Sequence, residues 1–425
     1  MTLLIFIVAL LAAMAIGTPV AFSLMFCSLV LMFHLDMFDT QIVAQQMVTG
    51  ANTFTLLAIP FFLLAGELMN AGGLSRRIID FALACVGHIR GGLGIVAILA
   101  AVIMASLSGS AAADSAALAA ILIPMMREAG YNVPRAAGLM AAGGVIAPVL
   151  PPSLAFIIFG VAANVSISKL FMAGIAPGLM MAIALLITWL ILCGKMDVKP
   201  LPRADMKTRL RASGRAAWAL GMPVIILGGI RFGIVTPTEA AVVAAVYALF
   251  VGVCVYRELK LKDLYHVLLK AAKTTSVVMF LVAAALVTAW LITAADIPGE
   301  LGELISPLIE RPKLLMFTIM VLVLIIGTAL DLAPTILILT PVLMPVVMQA
   351  GIDPIYFGVM FVMNTCISLL TPPVGVVLNV VSGVAKVPLG KVIWGVAPFL
   401  FAQIFVMFLL VLFPQLVMVP LGWLY

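Results

Sequence analysis

Residues 143–153 read GGVIAPVLPPS, and residues 364–375 read NTCISLLTPPVG. Each holds a double proline inside a long apolar stretch, and the two pairs, Pro151–Pro152 and Pro372–Pro373, stand 221 residues apart. Working outward, the same offset relates Pro124, Ala129, Gly130, Gly174, Ala176 and Pro177 to Pro345, Ala350, Gly351, Gly395, Ala397 and Pro398. A register held across two apolar halves is the trace of a doubled unit whose helix breaks matter. Two successive prolines remove two amide donors and free the carbonyls of the preceding turn. At bilayer depth such backbone is tolerated only where protein or a hydrated cavity satisfies it.

The surrounding composition places these breaks in a membrane. Of 425 residues 65% are hydrophobic and 9% charged, with a mean hydropathy of +1.30, too few polar groups to cover a soluble surface. The expected fold is an all-α polytopic membrane protein embedded in the lipid bilayer, with roughly 20 apolar residues per crossing. The net charge of +6 comes from Lys and Arg in short loops between spans, the distribution of the positive-inside rule, so no nucleic-acid partner is expected. Cys27, Cys85, Cys193, Cys254 and Cys366 lie singly in apolar segments and read as small buried hydrophobes. The N-terminal MTLLIFIVALLAAMAIG has no Lys or Arg ahead of its apolar run and reads as a retained first span. With no soluble domain, nucleotide-binding loop or cofactor motif in view, no enzyme is expected. Doubled units with broken helices are the layout of secondary transporters, driven by a gradient or a partner.

The units run over residues 1–195 and 217–425, joined by a basic linker at 196–216. Unit one is expected to span near 2–16, 18–34, 53–70, 136–163 and 172–194, and unit two near 217–234, 238–256, 274–295, 356–383 and 395–420. Residues 92–127 are too few for two crossings and a turn, and read as a re-entrant hairpin, matched by 314–348. Five crossings per unit makes the second unit the inverted repeat of the first. Loop charges support this independently. Residues 33–52 carry Asp36 and Asp39 and no Lys or Arg, whereas the matching loop holds Arg257, Lys260, Lys262, Lys270 and Lys273. Unit one leads into Lys195, Lys199, Arg203, Lys207, Arg209, Arg211 and Arg215, while unit two ends in QLVMVPLGWLY with no cation. Both termini are thus predicted periplasmic and the linker cytoplasmic, with Lys169 as the exception.

Two places per unit break the helical pattern. The hairpin tips, SLSGSAAADS at 106–115 and GTALDLAPT at 327–335, offer Ser106, Ser108, Gly109, Ser110 and Asp114, then Thr328, Asp331, Pro334 and Thr335. The proline breaks offer Pro148, Pro151, Pro152 and Ser153, then Asn364, Ser368, Thr371, Pro372 and Pro373. Free carbonyls beside hydroxyls and amides form an oxygen-rich, nearly uncharged cluster, suited to Na⁺, while half-helix N-termini can face an anion. The bland alternative is that the prolines are packing kinks. Asp114 and Asp331 are acids at depth, which implies a role, or they cap the broken helices; they are not repeat mates, since Asp331 matches Ser110 and Asp114 matches Thr335. Glu67 and Glu239 read as interhelical hydrogen-bond partners. His34, His88 and His266 sit at loop edges and suggest no metal site. An aspartyl-protease reading of the paired acids lacks a Gly-x-Gly-Asp context.

These motifs resemble a known family. SLSGSAAADSAALAAILIPMM, GGVIAPVLPPS, TPTEAA at 236–241, LTPVLMPVVMQAGIDP and LLTPPVG are similar to the large membrane (M) subunit of tripartite ATP-independent periplasmic (TRAP) transporters, over essentially the whole chain. SISKLFMAGIAPG, AKTTSVVMFLVA and GIDPIYFGVMF further resemble the branch that includes the 2,3-diketogulonate system. The resemblance implies a Na⁺-driven carrier of organic acids in the bacterial inner membrane, with Na⁺ as coupling ion. It implies as partners a small four-helix (Q type) membrane subunit and a periplasmic substrate-binding protein. It also implies an elevator-type movement of the hairpins and broken helices against a scaffold, and places the ion and substrate sites at 106–115, 143–153, 327–335 and 364–375. The rivals are a stand-alone Na⁺/dicarboxylate carrier of related architecture, and an ATP-driven permease, whose coupling loop TPTEAA only faintly suggests.

Overall fold

The computed structural model describes residues 2–194, 198, 200–297, 299–300 and 308–425, apart from the side chains of Leu3, Leu107 and Ser108. Among the described residues every regular element is a helix. Seven helices among the described residues are long and apolar enough by themselves to cross a membrane: Phe54–Ala71, Ile167–Cys193, Met206–Arg231, Pro237–Val255, Leu261–Ala294, Leu332–Gln349 and Leu389–Leu412. That makes this a multi-pass membrane protein. The first two expected spans form as Thr2–Ala15 and Val20–His34, whose 14 and 15 residues fall short of the roughly 20 that a crossing takes.

Helix bounds follow the offset seen in the sequence. The first hairpin is Gly92–Ser108 and Ala111–Glu128; the second is Pro312–Gly327 and Leu332–Gln349, its second helix displaced by 221 residues at both ends. The double prolines split each following helix, into Val133–Gly144 and Leu154–Ala162 in unit one and Pro354–Ser368 and Val376–Ala385 in unit two. Both Pro–Pro bonds are cis. Long helices then close each unit, Ile167–Cys193 and Leu389–Leu412. Side-chain caps set many of these starts: Ser110, Asn132, Ser153, Ser166, Asp331 and Asp353 each accept from a backbone N–H of the first turn, satisfying donors a helix start leaves unpaired.

Two groups of helices separate by what packs on what. In one, Pro237–Phe250 lies on Ala58–Ala71, Leu261–Ala294 lies on Val20–His34, Thr40–Ala51 and Ala58–Ala71, and Met206–Arg231 lies on Leu74–Val86. In the other, the hairpins, broken helices and closing helices interleave across the units: Val133–Gly144 packs on Leu389–Leu412, and Ile167–Cys193 on Pro354–Ser368. Trp189, Phe156, Phe159, Phe171, Phe357, Phe361 and Phe399, the largest fully buried side chains, all belong to this second group. The backbones come closest at Gly138 and Gly395, where a Cβ on Gly138 would lie 2.5 Å from Val396 N and 2.6 Å from Gly395 O. Small residues permit such an approach where lipid gives helices no hydrophobic drive to associate. Gln403 Nε2 donates to Ala142 O at 2.9 Å across the same seam.

Four expectations need correction. Residues 33–52, read as a loop, contain the helix Thr40–Ala51, begun by Asp39, whose carboxylate accepts from Gln41 N. Leu261–Ala294 begins 221 residues after Thr40, so what unit two forms as one 34-residue helix is interrupted in unit one at Asn52 and Thr53. The span expected near 217–234 starts earlier: Met206–Arg231 begins among the basic residues, capped by Asp205, and Thr208 holds the Asp205 carboxyl below the usual carboxylate range by hydrogen bonding. The final span stops at Leu412, and after Pro414 a separate helix, Gln415–Leu424, follows. Lastly, Glu239 does not bridge helices. It closes a capping box with Thr236, whose N–H it accepts at 2.8 Å, a signature the sequence carries as Thr-x-x-Glu. Lys195 and Lys199, used in the charge argument, lie outside the described residues.

Candidate substrate cavity and ion-binding breaks

The two hairpin tips and the two breaks meet at a cavity of about 220 Å³. Hairpin one contributes Gly109, Ser110, Ala111 and Ala112, and hairpin two contributes Asp331, Leu332 and Ala333. Break one adds Pro148, Leu154, Ala155 and Ile158, and break two adds Leu369, Val376 and Val377. Ile59, Leu63, Thr274 and Val278, from the first group of helices, close the wall. The first residues of four helices, Ala111, Leu154, Leu332 and Val376, therefore line one space. Each helix start carries about half a positive charge, so four positive ends face a lining that, among the described residues, holds no Lys or Arg and one carboxylate, Asp331. A larger cavity of about 950 Å³, lined by Gln46, Thr49, Asn164, Ser166, Trp290 and Met344 among others, includes none of the sequence-predicted site residues.

Each tip rests on its own break. A Cβ on Gly109 would lie 3.3 Å from Pro152 O and 3.6 Å from Leu154 N, and Gly109 itself has a φ of +60°, which favours glycine. In unit two, Gly327 abuts Ser368 so closely that a Cβ would fall on Ser368 Oγ and lie 2.7 Å from Ser368 Cβ.

Of the sequence-predicted residues, the cavity wall takes Gly109, Ser110, Pro148 and Asp331. The others whose side chains are described lie outside that wall. Ser106 Oγ donates to Ile103 O at 2.7 Å. Asp114 is buried in the first turn of Ala111–Glu128. Ser153 is buried, donates to Pro148 O and accepts from Phe156 N, bracing the first break. Pro151 and Pro152 are buried, whereas Pro372 and Pro373 are exposed, a difference between the two breaks. In unit two, Thr328 Oγ1 donates to Ile325 O, Thr335 Oγ1 to Asp331 O, Ser368 Oγ to Thr365 O and Thr371 Oγ1 to Ser368 O. Pro334 and Thr335 are buried beneath Asp331 in the same turn. Asn364 is buried, its Nδ2 donating to Met320 O at 2.6 Å and its Oδ1 meeting no hydrogen-bond donor. Ser108 ends the helix Gly92–Ser108, and its side chain lies outside the described residues. Asp331 is a cap, accepting from Leu332 N at 2.8 Å, while also facing the cavity.

Sequence reasoning missed the wall that the first helix group supplies. Ile59, Leu63 and Val278 are apolar residues in apolar helices and carry no signal. Thr274 offered a faint one, as a hydroxyl in the run AKTTSVV. Ser115 was also missed. Its Oγ is buried without a hydrogen-bond partner, directly where a Cβ on Gly144 would fall.

The sequence model described as "Tripartite ATP-independent periplasmic transporter, DctM component" matches residues 7–416. The 2,3-diketo-L-gulonate TRAP transporter large permease protein YiaN of Escherichia coli is 57% identical over 423 residues, covering 100% of both chains. The sialic acid TRAP transporter large permease protein SiaM of Vibrio cholerae is 41% identical, covering 94% of this chain and 93% of that one. The C4-dicarboxylate TRAP transporter large permease protein DctM of Pseudomonas aeruginosa is 40% identical, covering 87% of each. Among solved structures, the Alcanivorax borkumensis YdaH transporter superposes with a TM-score of 0.64 at 15% identity, covering 91% of this chain and 88% of that one, a likeness of fold. With similarity over nearly its full length, the chain belongs to the DctM family of TRAP transporter large permease subunits, in the branch that holds the diketogulonate permease.

Proposed function

We propose that this chain is the permease of a Na⁺-coupled, binding-protein-dependent importer of an organic acid, working with a small membrane subunit and a periplasmic binding protein in the inner membrane. The observation that carries the reading is the 220 Å³ cavity on which four helix starts converge. A carboxylate held there would be stabilised by helix dipoles and first-turn N–H groups, with Na⁺ offsetting the Asp331 carboxylate in the same wall. Diketogulonate, sialic acid and C4-dicarboxylates, the cargoes in the relatives' names, are all carboxylates, and a sugar acid or a comparably small acid is the proposed substrate here.

Na⁺ is proposed as co-substrate, and the breaks suit it. The hydroxyls of Ser368, Thr328 and Thr371 give their protons to backbone carbonyls, which leaves their lone pairs turned outward. Asn364 Oδ1, buried and without a donor, is an acceptor that a cation would satisfy. Asp331 adds one negative charge beside the first turn of its helix.

The two units are read as an inverted repeat, with both termini periplasmic and the basic linker cytoplasmic. The interleaved hairpins, broken helices and closing helices form the moving body, and the helices around Leu261–Ala294 form the scaffold, so that transport proceeds as an elevator. Uptake in proteoliposomes, with the small subunit, candidate binding proteins and an imposed Na⁺ gradient, tests the reading. Asp331→Ala and Thr371→Ala should each abolish Na⁺-dependent uptake while the protein remains inserted. Unchanged Na⁺ dependence in both variants would refute the site assignment, and transport by the purified large subunit alone would favour a stand-alone carrier.

A further inference from the structure

Among the described residues the cavity has no cation in its wall, but a full positive charge stands one helical turn away. Leu63 and Thr274 belong to the wall. Four residues after Leu63 comes Glu67, and four residues before Thr274 comes Lys270. Their carboxylate and ammonium lie 2.8 Å apart. Residues at i and i+4 share a helix face, so the pair continues the cavity-facing stripes of both helices, displaced by about one 5.4 Å turn. Lys273 is nearer to Thr274 in sequence, yet it is rotated by roughly 100° and points elsewhere. The displacement runs toward the end of Leu261–Ala294 that carries Lys262 and His266 at the same four-residue spacing.

The two partners differ in setting. The Lys270 side chain is 68% exposed and that of Glu67 23%. Glu67 is also the single charged residue of Ala58–Ala71, and an acid in an apolar membrane helix is costly enough to imply a role. An ammonium has three donors, and among the described residues only Glu67 is ion-paired with this one.

We propose that Lys270 is a second carboxylate station for the transported acid, set between the central cavity and the Lys-rich membrane face. On leaving the helix starts, the substrate's carboxylate displaces Glu67 from Lys270, and Glu67 recloses the pair when the substrate departs. This inference rests on the organic-acid reading of the cavity. The competing account is that Glu67 and Lys270 merely staple two scaffold helices together.

The test is Na⁺-driven uptake by the reconstituted transporter with its partners, comparing wild type with Lys270→Gln, Lys270→Arg, Glu67→Gln and the apolar double variant Glu67→Met/Lys270→Met. A staple tolerates the double variant, because a well-packed apolar pair commonly replaces an ion pair without loss. It also predicts equal losses for Glu67→Gln and Lys270→Gln. A carboxylate station predicts that Lys270→Gln and the double variant both lose maximal uptake by about ten-fold or more, the scale of one charge-assisted contact. Their Na⁺ dependence should be unchanged, with Lys270→Arg restoring most of the uptake and Glu67→Gln losing clearly less than Lys270→Gln. A double variant matching wild type, or equal losses in the two Gln variants, overturns the proposal. Absence of Na⁺-driven acid uptake in the wild type would instead overturn the reading on which it rests.

Discussion

The contact between Gly327 and Ser368 is the tightest place where a hairpin tip meets its break, and it sets a quantitative test. In Gly327→Ala the new methyl would fall on Ser368 Oγ and lie 2.7 Å from Ser368 Cβ, with no other contact within 4 Å. Carbon atoms rest at about 3.5–4.0 Å, so the tip must retreat from the break by roughly 1 Å. Overpacking of this kind costs about 1–3 kcal/mol. A shift of about 1 Å at a positioned site is worth about a hundred-fold in function. The apparent Na⁺ affinity of uptake should therefore fall by about ten- to a hundred-fold, with a measurable drop in thermal stability in detergent. Because both clashing atoms belong to one side chain, Ser368→Gly should relieve the strain. That second change gives up the Ser368 Oγ bond to Thr365 O and places a glycine in a helix, at about 1 kcal/mol relative to alanine. The double variant should thus recover most of the thermal stability that Gly327→Ala loses, while its Na⁺ affinity stays at the reduced level of Ser368→Gly alone, which lacks one of the hydroxyls proposed for the ion. Wild-type Na⁺ dependence in Gly327→Ala, or no recovery of thermal stability in the double variant while Ser368→Gly alone unfolds near the wild-type temperature, would refute the contact between tip and break.

Three further outcomes follow from the packing. Gly138→Ala should lower the melting temperature more than Gly327→Ala, since its Cβ would meet the backbone of Gly395 and Val396 and no side-chain trimming can compensate; rescue by any substitution in Leu389–Leu412 would contradict the geometry. Asn364→Ala removes the donor to Met320 O at a fully buried position and should cost about 1–2 kcal/mol, the lost bond alone, since Met320 O keeps the amide four residues on in its own helix; denaturation of the solubilised protein reads the change. Trp189→Leu removes an indole that donates to Gly91 O at 2.8 Å and stacks near Tyr131 and Phe399. Unit two carries Leu410 at the equivalent place, so the variant should lose about 3 kcal/mol of stability yet keep uptake at permissive temperature.

Much of the fold was legible because breaks are local. Proline removes an amide donor wherever it stands, so GGVIAPVLPPS and NTCISLLTPPVG announced their interruptions regardless of context. Two helices of 17 and 18 residues do fill the apolar run of 92–127, though in the second unit Leu332–Gln349 is by itself long and apolar enough to cross. What was not legible depends on neighbours distant in the chain. Thr40–Ala51 has too few apolar residues to signal a span and buries none of its side chains, so it passed for a loop. Glu239 looked like an acid seeking a partner across a helix interface, when the threonine three residues before it already closed the box. Ile59 and Leu63 reach the cavity only because two helices of another group pack beside it, and nothing in an apolar run marks one face as a wall.

The site residues show the same division more sharply. Hydroxyls and prolines at 106–115, 143–153, 327–335 and 364–375 mark where helices stop and restart, and the restarts do gather at one cavity. Most of the named side chains are not in its wall, because their work is to secure the breaks: Ser153 bonds both Pro148 O and Phe156 N, and Thr371 holds Ser368 O. A helix start can present its amides to a ligand only if the preceding chain is turned aside and pinned. On the proposed reading, the oxygen-rich residues would serve an anion indirectly, by exposing four helix starts to it. The lone pairs left over after pinning are what a cation could bind. Coupling between the two would then need no direct contact, since an ion that tightens a break fixes the helix start beside it.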